Sequence, residues 1–158
     1  MLNKFLLAPY VDGGRGPTAF DCWGLCIAVR HELFGLPLLP SLGGVGRHNP
    51  KACTKAFRVL SGVMEVCEPE PGAIAAVLRG DLCIHVGVVV DIDGRLAVLE
   101  TNPNSGPRWL YLRQFEATYL KVIYYRDQRR PTAQVSCAHA VTNHFAFTRR
   151  SPGRAPDT

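Results

Sequence analysis

The feature that most constrains this chain is a change of period at Val63. Ahead of it, apolar residues recur at helical spacing; beyond it come short β-rich runs, VMEVCE, AIAAVLR, LCIHVGVVVD, RLAVLET and YLKVIYYR. Turn residues separate them: PEPG, GD, Ile92-Asp93-Gly94 and the loop NPNSGP. Such runs, bounded by Gly, Pro, Asn and Asp, read as strands joined by tight connections. The succession predicts an antiparallel sheet of about five strands with the helices ahead of it, an α+β class. Asp93-Gly94 between two β-branched runs is a hairpin signal, so the strand holding His85 is expected to pair with the strand ending at Glu100.

Two helices are expected before the sheet. In DCWGLCIAVRHELFG, Asp21 is suited to the N-cap, Leu25, Ala28, Val29 and Leu33 can share a face, and Gly35 supplies the stop. The Pro/Gly-rich stretch LPLLPSLGGVGRHNP leads to a second helix from about Lys51 to Leu60, with Pro50 in its first turn. The first helix therefore begins at or beside Cys22.

A chain of 158 residues, 47% hydrophobic, suits one domain with a real core. The net charge of +5 is uneven: Arg126, Arg129, Arg130, Arg149, Arg150 and Arg154 crowd the end, so residues 1–125 are read as the domain and 126–158 as a basic Arg/Pro-rich arm. No aromatic-interleaved basic stripe or zinc-finger spacing accompanies that charge, so nucleic acid is not an expected partner. The apolar run near the N-terminus is too short for a signal peptide, and no stretch approaches the roughly 20 apolar residues of a membrane span. Without an export signal, Cys22, Cys26, Cys53, Cys67, Cys83 and Cys137 are expected as reduced thiols.

A cysteine at a helix start has the positive end of the dipole beside its sulfur, which favours the nucleophilic thiolate. Nucleophilic catalysis also needs a base, and His85 stands among apolar neighbours on the central strand pattern. Taken singly, Cys22 fits a packed thiol and His85 a core histidine satisfied by a backbone carbonyl. Cys22, Cys26, Cys83 and His85 also fall within loose zinc-ligand spacing, but packing on the helix and strand accounts for Cys26 and Cys83, and neither a metal nor a cofactor is expected.

The surroundings of both residues resemble one known pattern. YVDGGRGPTAFDCWGLC, from Tyr10 to Cys26, is similar to the opening of the NlpC-type cell-wall cysteine peptidases: a Tyr, a Gly-Gly pair, a variable loop, then Asp-Cys-Ser/Trp-Gly-Leu. EPEPGAIAAV looks like the family's Pro-Gly-Asp strand, with Ala73 where Asp is usual, and HVGVVVDIDGRLAVLET like its His-Val-Gly strand and hairpin. The resemblance spans roughly residues 8–125. It implies a reduced papain-like fold, with the nucleophile helix packed on the sheet. It further implies Cys22 as nucleophile and His85 as general base and then acid. Tyr10 and Asp21 would support the substrate and the oxyanion hole, to which the Cys22 backbone N–H contributes. Trp23, in place of the commoner Ser, is similar to the phage-encoded branch, though core packing is an equal reading.

The third group, which orients the imidazole, departs from the family. Where a His is usual, this chain has Glu100, and Asn102 two residues on is the alternative; either can accept the imidazole N–H. The resemblance implies a phage tail-associated endopeptidase acting on peptidoglycan stem peptides, made in the host cytoplasm and carried by the virion tail, with other tail-tip proteins as partners. The arm at 126–158 is the candidate docking segment. The alternative is a weakened or inactive structural component of the tail tip.

Overall fold

The computed structural model describes residues 1–43 and 48–128. Within them the protein is α+β, with four helices and a six-stranded sheet. The helices are α1 (Asn3–Leu6), α2 (Cys22–Phe34), α3 (Pro50–Ser61) and α4 (Leu112–Thr118). The strands are β1 (Met64–Cys67), β2 (Ile74–Arg79), β3 (Leu82–Ile92), β4 (Arg95–Asn102), β5 (Gly106–Tyr111) and β6 (Val122–Asp127). Their order is β1-β6-β2-β3-β4-β5, every pair antiparallel.

Local chemistry explains the boundaries. Asp21 caps α2 by accepting the Gly24 N–H at 2.7 Å, and Gly35 ends it in the left-handed region at φ 62°. Asn49 caps α3 through the Ala52 N–H at 3.0 Å, with Pro50 at the first turn. Asp93 and Gly94 both take positive φ, 53° and 78°, the primed turn that lets β3 and β4 continue their twist, and Ile92 pairs with Arg95.

The sheet exceeds the expected five strands by β5. Gly106 and Pro107 read as turn residues in the sequence, but β5 is an edge strand, where a proline removes no ladder bond that the sheet needs. Helix α4, between β5 and β6, is likewise additional to the expected elements, as is the single turn α1.

Successive residues of the central strands are buried on opposite faces. Ile74, Ala76, Val88, Val90, Ala97 and Leu99 pack with Leu25 and Val29 of α2 and Leu60 of α3. Ala75, Val77, Val89 and Val98 pack with Phe115 of α4. A side chain as fully buried as Phe115 or Leu25 contributes roughly 1.5–3 kcal/mol.

The buried Arg30 of α2 crosses between layers. Its Nε donates to the Gly72 carbonyl at 2.9 Å, and its guanidinium pairs with Asp127 at the end of β6. Arg126, assigned to the arm by composition, belongs to β6 and bonds Glu65 and Glu70, so the sheet runs past residue 125. The rest of the expected arm, and Cys137, lie outside the described residues. No helix among the described residues is long and apolar enough to cross a membrane.

Candidate active site

A loop folded back on itself leads into α2 and places Cys22. The Val11 N–H donates to Phe20 O at 3.1 Å, the Gly14 N–H to Val11 O at 2.8 Å, and the Asp21 N–H to Gly14 O at 3.0 Å. Asp21, buried, is shared between loop and helix: besides capping α2, its second oxygen accepts the Gly13 N–H at 3.2 Å and pairs with Arg15. The loop lies so close to α2 that a Cβ at Gly24 would fall 2.1 Å from Gly14 O. A small residue after Cys-Trp is therefore a steric requirement of this opening. Trp23 is half-buried against the core and donates its indole N–H to Pro40 O at 3.0 Å, anchoring the segment after α2.

Cys22, half-buried at the first position of α2, lines a cleft of about 650 Å³ together with Tyr10, Trp23, Phe57, His85 and Arg108. His85 reaches it from β3. Between the pairs Val77↔His85 and Leu78↔Cys83, β3 carries one more residue than β2, so Ile84 is the extra residue of a bulge immediately before His85. Bulges re-aim neighbouring side chains. Here the His85 ring lines the same cleft as the Cys22 thiol, whose interaction with the ring acts to raise the imidazole pKa, while His85 Nε2 donates to Glu100 Oε2 at 2.6 Å. With Nε2 so engaged, Nδ1 is the ring nitrogen left for the sulfur.

Glu100 is fully buried and meets three donors: His85 Nε2, Tyr119 Oη at 2.7 Å and Arg108 Nε at 2.7 Å. Gly87, on the neighbouring strand, lets β3 and β4 approach closely here, since a Cβ there would sit 2.5 Å from Val98 Cγ1 and 3.0 Å from Leu99 O. Burial by itself would raise the Glu100 pKa, but the hydrogen bond and charge of His85, with the Tyr119 and Arg108 bonds, outweigh it and hold the carboxyl below its usual range. Burial likewise works to lower His85, and the bonds and charges of Cys22 and Glu100 override it, lifting the imidazole to about 9. The Tyr119 phenol, buried and bonded to the carboxylate, is raised well above its ordinary value.

The structure thus brings Cys22, His85 and Glu100 into one chain of contacts, with Tyr10 and Asp21 on the wall of the same cleft. The Tyr10 hydroxyl faces Asp12 at 3.5 Å. Both Asp21 oxygens are occupied by the loop and the helix, so its contribution is to hold the start of α2. Of the two candidates for the third group, Glu100 contacts the imidazole, whereas Asn102 Oδ1 accepts the Asn104 and Ser105 N–H groups at 3.0 Å each and shapes the β4–β5 turn.

The remaining described cysteines are of another kind. Burial raises Cys26, Cys53, Cys67 and Cys83, the last to about 12. Cys26 and Cys83 are core residues, and no group of three or more His, Cys, Asp or Glu among the described residues is arranged around a metal position.

Sequence reasoning did not find Tyr119 and Arg108. Arg108 had a signal: it lies directly across from Glu100 in the β4–β5 register, an opposite-charge cross-strand pair, visible once GPRWLY is read as a strand. Tyr119 follows α4, and nothing in its neighbours points to β4.

The arrangement offers a thiol, an imidazole able to take and return a proton, and a fixed anion behind the imidazole, the components of acyl transfer. Compared with protein-family models and with curated proteins, the chain matches none.

Proposed function

We propose that this protein is a cysteine endopeptidase of the NlpC type, on a reduced papain-like arrangement, that hydrolyses stem-peptide amide bonds of peptidoglycan from a phage tail. One observation carries the reading: His85 shares an open cleft with Cys22, at a helix start, and donates its Nε2–H at 2.6 Å to Glu100, a buried carboxylate. The motif around Cys22 and His85 supplies the substrate class.

In this reading the Cys22 sulfur attacks the peptide carbonyl and the imidazolium of His85 protonates the departing amine. The neutral imidazole then takes a proton from water, whose oxygen displaces the thiolate from the thioester. The Cys22 N–H at the head of α2 and the Tyr10 hydroxyl, from two residues that line the cleft, would receive the developing oxyanion. Glu100 stabilises the charged imidazole and fixes its tautomer, as a carboxylate does in serine hydrolases. The basic residues after Asp127 are the proposed contact with other tail-tip proteins, tested by deleting residues 129–158 and measuring incorporation into particles.

Digestion of purified peptidoglycan by the wild-type chain and by Cys22→Ala, with released fragments identified by mass spectrometry, tests the activity. Stem-peptide fragments from the wild type alone are the expected result, and their masses name the bond. Release by neither protein would overturn the peptidase reading in favour of a structural tail component.

A further inference from the structure

Three guanidinium groups line the cleft: Arg15, Arg108 and Arg79. Arg15 is taken up by Asp21, Gly14 O and Ser41 O, and Arg108 by Glu100. Arg79, exposed at the last position of β2, has no carboxylate or carbonyl partner among the described residues.

Its place relative to the reacting groups follows from the register. Val77 pairs with His85, and Arg79 lies two residues further along β2. At about 3.3 Å per residue and about 4.8 Å between strands, the two α-carbons are roughly 8 Å apart, within one peptide residue of the reacting carbon for a side chain as long as arginine. Beside it stands Ile84, the residue that the bulge turns outward. Ile84 lines the same cleft and leaves 37% of its surface exposed, unusual for a large aliphatic group on a central strand. An uncommitted guanidinium beside an uncovered aliphatic side chain complements a ligand residue with an aliphatic stem and a free carboxylate.

We propose that Arg79 and Ile84 form a substrate subsite that binds an aliphatic residue bearing a free carboxylate next to the scissile bond, with Arg79 as the carboxylate anchor. The inference rests on the peptidase reading above for its substrate, and names the selectivity of that cleft. Stem peptides carry such carboxylates on both sides of the bond between D-glutamate and diaminopimelate, and those in which one is converted to the amide keep the shape and lose the charge.

The test is calorimetric titration of the full chain carrying Cys22→Ala with three synthetic stem peptides: the free acid, the form amidated on the D-glutamate residue, and the form amidated on the diaminopimelate residue. Charge-assisted hydrogen bonds to a guanidinium predict that one amidation weakens binding by roughly ten- to a hundredfold, and that the penalty disappears when Arg79→Gln is added. Arg79→Lys restores part of it, and Ile84→Ser weakens all three peptides alike. Equal binding of the three peptides, a preference that survives Arg79→Gln, or no binding at all overturns the subsite. Binding with an Arg79-dependent preference, in a protein whose wild type releases nothing from peptidoglycan, upholds the subsite and sinks the peptidase reading; turnover without any carboxylate preference does the reverse.

Discussion

A carboxylate with no exposed surface costs several kcal/mol unless donors replace the water it has lost, and Glu100 is met by an imidazole, a phenol and a guanidinium. That clamp makes the group behind His85 a fixed charge, so the imidazolium is stabilised, and the imidazole titrates near 9. Replacing Glu100 by Gln keeps the shape and removes the charge. The expected outcome is a lower His85 midpoint, read from its ring-proton shifts in NMR, and a loss of roughly 10²–10⁴-fold in kcat/KM. Cys22→Ala also removes a partner that raises His85, so its midpoint falls as well; a midpoint indifferent to both substitutions would show that neither contact sets the charge. Among the described cysteines, Cys22 is expected to be the first alkylated by iodoacetamide, since burial keeps Cys26, Cys53, Cys67 and Cys83 in the thiol form, and peptide mapping of a partial reaction reads the order.

At the scale of the elements, the site depends on how closely the loop before α2 is seated. Gly24→Ala places a methyl 2.1 Å from Gly14 O, a backbone atom that cannot rotate away, so the loop must lift off and carry Asp21 and Arg15 with it. Gly35 also ends α2 but has open space around its Cβ position, so Gly35→Ala meets only the left-handed backbone cost of roughly 1–2 kcal/mol. Urea unfolding should rank Gly24→Ala as the more damaging, with slowed Cys22 alkylation in that variant alone. The reverse ranking would mean that the loop is not held by this contact. The bulge in β3 acts similarly on the other half of the site, since a regular pairing of β2 and β3 would place Ile84 and His85 on alternate faces.

Across the whole molecule, Arg30 joins α2 to the Gly72 turn and to the end of β6, linking the helix that begins at Cys22 to strands far from it in sequence. Arg30→Ala leaves a buried carbonyl without a donor and Asp127 without its counter-charge, and is expected to cost roughly 3–5 kcal/mol in urea unfolding. The His85 shift also makes stability depend on pH. Because the folded midpoint, about 9, lies above the ordinary histidine value, the contribution is complete below about pH 6.5 and is lost as pH rises through 9. Unfolding midpoints should therefore decline over that window in the wild type and decline less in His85→Gln. A wild-type curve flat between those values would contradict the assigned charge state.

The sequence by itself determined the elements whose signals are local. Asp21, Gly35, Asn49-Pro50 and Asp93-Gly94 act within a few residues, through a cap, a left-handed stop and a primed turn, and α2, α3 and the β3–β4 hairpin follow from them. The choice between Glu100 and Asn102 stayed open in the sequence because both can share one strand face, and whether each meets the imidazole or its own turn is a matter of register. Only the tertiary structure decided that Arg108 and Tyr119 converge on Glu100, that β3 bulges before His85, and that β6 inserts between β1 and β2. The physical reason is distance along the chain. Caps and turns are settled by neighbours, whereas a buried carboxylate finds its donors among residues that only strand pairing and helix packing bring within 3 Å of it.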